Sequence, residues 1–364
     1  MPDPGPERSA TQPVASDSPT PWWLWPNLLN LDSPLLAVIW QEQFARIAGV
    51  NLAFGDRLLL FCCTWLVYCA DRVLDVVDAD ARAETGRHAI HKKGHPVWLS
   101  ISVVMFITAL VIAITRLNAS AWLAGGIVFA LTAVHFAATH WWPVLRTRLW
   151  PKEWHVGLVV SVGCALQVWA VQPDVWPSLL PAVLGFGALC AMSCSHITTW
   201  EVVTADRRDA DSLLNAHPWF IRRLSWFDIA LGLLALTLAA ALGQAEIQKA
   251  LGAVALSGLG LAWLHDRCNR YSADFLRAMA DIGLYTPLLF FLNSPRTKWR
   301  GAPASLRLAK RSGQQALDHI PVDVGEAVVA SLKLEGQLFV VDAEAVQHRR
   351  VQIVHRHRIL DDVE

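Results

Sequence analysis

Nine apolar stretches, each close to the length that crosses a bilayer, set the terms for what this chain can fold into. They lie near residues 34–54, 57–77, 97–115, 121–141, 155–172, 177–200, 224–243, 247–264 and 274–293. About 20 apolar residues span the hydrocarbon core as a helix. Backbone polar groups in lipid must be satisfied inside the segment or in a closed barrel, so stretches of this length read as helices. The chain is 54% hydrophobic and only 17% charged over 364 residues, where a soluble domain carries about a quarter charged residues. An all-α membrane protein with nine transmembrane helices is the expectation. The first stretch is the least regular, because Gln41, Glu42, Gln43 and Arg46 must face protein or water rather than lipid.

The flanks are different. Residues 1–30 are rich in Pro and Ser and read as a disordered segment, with no signal peptide in the first twenty. Trp22, Trp23 and Trp25 suit an interfacial anchor before the first helix. Residues 296–364 form a polar tail in which "SLKLEGQLFVVD" reads as a hairpin and "RRVQIVHRHRI" as another strand, a possible small β unit. A net charge of zero gives no general attraction to nucleic acid. The seven cysteines form no CxxC pair and mostly sit in apolar runs, so neither a zinc site nor a disulfide framework is indicated.

The connections after the even-numbered stretches hold fourteen Lys and Arg, and those after the odd-numbered stretches only Arg57, Arg116 and Lys249. The positive-inside rule puts the first set in the cytoplasm. Nine spans then place the tail outside, although its start is basic.

Two acidic clusters stand on that cytoplasmic side. In "YCADRVLDVVDADARAETGRHAIHKKGH", Asp71, Asp75 and Asp78 are spaced i, i+4 and i+7 and share one helical face, which Thr64 and Tyr68 extend into the membrane. Three carboxylates on one face repel one another unless a cation neutralises them, and Mg²⁺ prefers carboxylate oxygen and keeps room for a phosphate. The plainer reading is a solvated helix end whose acids pair with Arg72, Arg82 and Arg87. The second cluster, in "CSHITTWEVVTADRRDADS", offers Glu201, Asp206, Asp209 and Asp211, with Glu201 on the face of Ile197, Cys194 and Cys190. Arg87 and Lys152 are cations suited to phosphate. His88, His91 and His95 have a spacing a transition metal can use, though a basic interfacial loop accounts for them too.

Nine helices with acidic motifs closing the second and sixth on the cytoplasmic side resemble the UbiA superfamily of intramembrane prenyltransferases, over roughly residues 34–293, within a transmembrane domain expected at 31–295. The family's first motif reads Asn-Asp-x-x-Asp-x-x-x-Asp. "ADRVLD" falls at that place, with Asp71 at the Asn position and Asp75 at the next Asp. Arg72 stands where the motif has its first Asp, and Ala79 where it has its last. The resemblance implies a bundle around a central cavity and Mg²⁺-dependent transfer of an isoprenyl group from a prenyl diphosphate to a lipidic or aromatic acceptor. It implies Mg²⁺ ligands at Asp71, Asp75, Asp78, Glu201, Asp206 and Asp209. Arg87 and Lys152 would balance the diphosphate, and Tyr68, Trp65 or Trp200 would face the allylic cation. Two other readings remain: a catalytically silent member that binds an isoprenoid or lipid, and a His/carboxylate metal oxidoreductase.

Overall fold

A computed structural model of the chain describes residues 21–78, 95–140, 152–205 and 218–292. Every regular element among them is helical. The principal helices are α1 (Asp32–Ala48), α2 (Phe54–Asp78), α3 (His95–Arg116), α4 (Ala119–His140), α5 (Lys152–Val171), α6 (Trp176–Ala205), α7 (Leu224–Leu242), α8 (Ala245–Asp266), α9 (Ala273–Gly283) and α10 (Pro287–Leu292). Six of them, α3 to α8, are long and apolar enough to cross a membrane. The described residues thus form an all-helical bundle of the kind a multi-pass membrane protein has, with α1 and α2 packed in the same bundle. The β unit expected in the tail lies outside the described residues.

Local chemistry fixes the helix ends. The α1 helix stops at Gly49, whose φ of +65° only glycine adopts cheaply. There Gly49 N donates to Arg46 O at 3.1 Å and Val50 N to Ala45 O at 2.9 Å. The Asp56 carboxylate accepts from Ala53 N at 2.9 Å and caps the start of α2. Residues 21–30, which the sequence suggested were disordered, include a one-turn helix, Trp25–Leu28, and bury Asn27 and Asn30.

The ninth apolar stretch is not one span. It breaks between α9 and α10 at Leu284, Tyr285 and Thr286. Pro287 has no N–H and disfavours helical backbone in the residue before it. Broken backbone inside a membrane protein must find other partners, and it does. Trp40 Nε1 donates to Leu284 O at 3.0 Å and Ser257 Oγ to Gly283 O at 2.8 Å, while the Tyr285 hydroxyl donates to Asp32 O at 2.8 Å and ties the break to α1.

The core lies where α1, α5, α6 and α8 meet. Trp40 stacks on Phe186 with ring centroids 4.1 Å apart, and Phe44 closes on the same ring edge-on. The α5 and α6 backbones approach closely at Gly157 and Gly187, where a Cβ on Gly187 would stand 2.8 Å from Ser161 Oγ. By contrast α3 rests on α2, and α4 on α5, although only Leu117 and Asn118 join the two. Only 11% and 17% of their spans are buried, against 56% and 61% for α6 and α8, so α3 and α4 offer most of their surface to lipid.

Candidate functional site

A cavity of about 290 Å³ opens among α1, α2, α4, α5, α6 and α9. Its lining changes character along the helices. Near the end of α2 and the start of α5 it presents Asp71, Arg72 and Lys152, which share one end of the bundle because α3 and α4 cross out and back between them. Further along, α5 contributes Val156, Val159 and Val160, and α2 contributes Val67 and Thr64. A charged mouth therefore leads to an apolar wall.

The α9 helix supplies a further charged pair, Arg277 and Asp281, at i and i+4 on the face toward the cavity. Arg277 is ion-paired with Glu201 of α6. The buried Asn27 donates both amide protons, to Asp32 Oδ2 at 2.5 Å and to Asp281 Oδ2 at 3.2 Å, and so ties the chain before α1 to α9. Cys194 lies within electrostatic reach of Glu153, Asp281, Lys152 and Asp71, so charges from three helices converge on this face of α6. Tyr68 and Ser33 both line the cavity.

Of the residues expected from sequence, Asp71, Tyr68 and Lys152 line this one cavity. Glu201 is not in the lining, but its partner Arg277 is. Asp75 and Asp78 occupy the last turn of α2, and their side chains lie outside the described residues, as do Arg87, Asp206, Asp209, Asp211, His88 and His91 in full. His95 begins α3. Of the aromatic candidates, Trp65 turns away to donate to Leu29 O at 3.2 Å, and Trp200 stacks on His196. Among the described residues no group of three or more His, Cys, Asp and Glu is placed to hold a metal.

Arg72 is the most informative position. One residue on from Asp71 it sits about 100° round the helix, yet both line the cavity. It is half-buried, makes no ion pair among the described residues, and its Nε has no hydrogen-bond partner. Sequence reasoning missed Arg277, Asp281, Asp32 and Asn27. Their signal was available, since polar residues inside apolar stretches must face protein or a cavity. No family model matches the chain, and neither a curated protein nor a solved structure matches it.

Proposed function

We propose that this cavity takes a prenyl diphosphate and transfers its isoprenyl group, with Mg²⁺, to a small or lipidic acceptor within the membrane. One observation carries the reading. Asp71, Arg72 and Lys152 crowd one mouth of a cavity whose continuation is a valine wall, which suits a polyanionic head and an apolar tail. The resemblance to the UbiA superfamily supplies the reaction class.

Lys152 and Arg72 would bind the diphosphate oxygens, as cations do for phosphate. Asp71 opens into the cavity, and Asp75 and Asp78 follow on its helical face, a donor set of the all-oxygen kind that Mg²⁺ takes. Bound there, Mg²⁺ would offset the charge of the departing diphosphate. Tyr68 offers a ring face to the allylic carbon once the C–O bond breaks. Apolar walls exclude water, so that the acceptor, rather than hydroxide, takes the prenyl carbon and gives up its proton. Glu201 serves by holding Arg277; Asp206, Asp209 and Arg87 complete the site in the family's pattern. On this reading the bundle lies in the inner membrane of a bacterium, with the charged mouth in the cytoplasm and the broken pair α9 and α10 making the ninth pass.

A second reading has its own support. Arg72 stands in the cavity beside Asp71, where its charge can stand in for a metal, and such a protein binds an isoprenoid without turning it over. One experiment separates the two. Purified protein receives mixed prenyl diphosphates and a native lipid extract, with and without Mg²⁺. Pyrophosphate release and a new prenylated mass, both Mg²⁺-dependent, support the enzyme. Saturable binding with no release supports the silent form, and no binding rejects both.

A further inference from the structure

Behind the cavity wall, three titratable side chains form a chain through the bundle interior. His196 of α6 and Asp228 of α7 are both fully buried, with His196 Nε2 2.6 Å from Asp228 Oδ2. His196 Nδ1 lies 3.2 Å from Nδ1 of His265, in the last turn of α8. His265 is half-buried, so the chain runs from the end of the bundle to a carboxylate inside it. Asp228 Oδ1 has no hydrogen-bond partner among the described residues. A lone carboxylate in such surroundings is expensive unless a proton or cation meets it.

The hydrogen bonds count the protons. Each of the two gaps needs one proton, which either neighbour can carry. With the inter-ring proton on Nδ1 of His265, Nδ1 of His196 accepts it and Nε2 of His196 faces Asp228 Oδ2. A proton arriving at the outer nitrogen of His265 lets the inter-ring proton pass to His196. Asp228 then faces an imidazolium across the 2.6 Å contact.

The same contact holds the helices in register. A Cβ on Gly258 of α8 would stand 3.1 Å from Asp228 O, so α7 and α8 touch at this level. Ser225 Oγ donates to Asp266 Oδ1 at 3.3 Å one turn away, and Asp266 is the charged neighbour of His265. On α6, Ser193, Cys194, Ile197 and Thr198 line the cavity while His196 points to the opposite side. Rotation of α6 is therefore fixed from behind by His196.

We propose that His265, His196 and Asp228 are a proton relay that clamps α6 to α7 and α8 and thereby positions the cavity wall. This does not rest on the reaction proposed above. An ordinary interhelical polar contact would also join these helices, so the test must see the shared proton. In protein reconstituted in bilayers, a short imidazole–carboxylate hydrogen bond gives a proton resonance downfield of all amides. A coupling between the two Nδ1 nitrogens reports the inter-ring bond. The wild type should show both. Asp228→Asn should abolish the first, and His265→Gln should abolish the second while keeping the first. Absence of either signal in the wild type, or survival of the first in Asp228→Asn, overturns the relay. For the positioning, maleimide modification of Cys194 in a Cys63→Ala background reports the wall. Asp228→Asn should change that rate by roughly threefold or more, as coupled helices do; an unchanged rate overturns it. If Asp228→Asn fails to fold, the pair His196→Phe with Asp228→Leu removes both buried polar partners together. That variant should fold, lack both resonances and show the altered Cys194 rate.

Discussion

Gly157→Ala should loosen the contact between α5 and α6, and the structure gives the size of the effect. A Cβ at Gly157 would stand 3.1 Å from Ala191 N and 3.2 Å from Ala191 Cβ, and closer still to Gly187 O. Ordinary contact begins near 3.4 Å. The obstacles are backbone atoms of α6 and a methyl fixed to it, so no side chain can swing aside, and the helices themselves must part. Overpacking of this kind costs about 1–3 kcal/mol, and a backbone obstacle belongs at the upper end. Alanine returns about 1 kcal/mol of helix propensity, which leaves a net loss of about 2 kcal/mol. Gly163 on the same helix is the control, since its nearest neighbour would be Val128 Cγ1 at 3.9 Å. Gly163→Ala should be neutral or stabilising by up to about 1 kcal/mol. Equilibrium unfolding in mixed SDS micelles measures both. If Gly157→Ala stays within about 0.5 kcal/mol of the wild type, the range of an inconsequential surface change, the close-approach argument is wrong.

Three further outcomes are expected. Trp40→Phe keeps the ring on Phe186 but strands Leu284 O at the break between α9 and α10; it should cost about 1–3 kcal/mol in the same unfolding assay. Lys152→Gln should lower Mg²⁺-dependent pyrophosphate release about 100-fold in folded protein, the scale seen when one stabilising group is removed, and chelation of Mg²⁺ should abolish release; equal rates would remove Lys152 from the diphosphate site. Arg72→Asp, which places a carboxylate where the UbiA motif has one, should reduce turnover; calorimetry that finds Mg²⁺ binding only in this variant would instead establish the silent form.

The helices were legible because lipid imposes a simple rule. Each stretch needs enough apolar residues to cross, and helix bounds such as Leu224–Leu242 and Ala245–Asp266 fall within two residues of the expected 224–243 and 247–264. The break at Leu284 was hidden by the same rule. Apolar content is continuous through "LYTPLLFFL", so only Pro287 marked it, and the donors that stabilise the break come from Trp40 and Ser257, far away in sequence. The site divided in a similar way. Asp71 and Tyr68 were readable because helical spacing puts them on one face. Arg277 and Asp281 have that spacing too, but nothing in the sequence says which cavity the α9 face meets. His196 and Asp228, 32 residues apart, are joined only by how α6 and α7 pack.

The splayed pair α3 and α4 has a consequence for exchange with the surroundings. Thr132, His135 and Phe136 of α4 form part of the cavity boundary, while little of α4 is buried. Among the described residues no helix covers its outward face, which is left for lipid. Displacing α4 would cost its packing on α5, including the contact of the His135 and His155 rings, while the stacked Trp40 and Phe186 at the core need not move. On the function proposed above, passage of a long apolar chain through that side would be resisted by this packing and by the order and viscosity of the surrounding lipid. The fluidity of the membrane, as much as any side chain, would set how fast the cavity fills and empties.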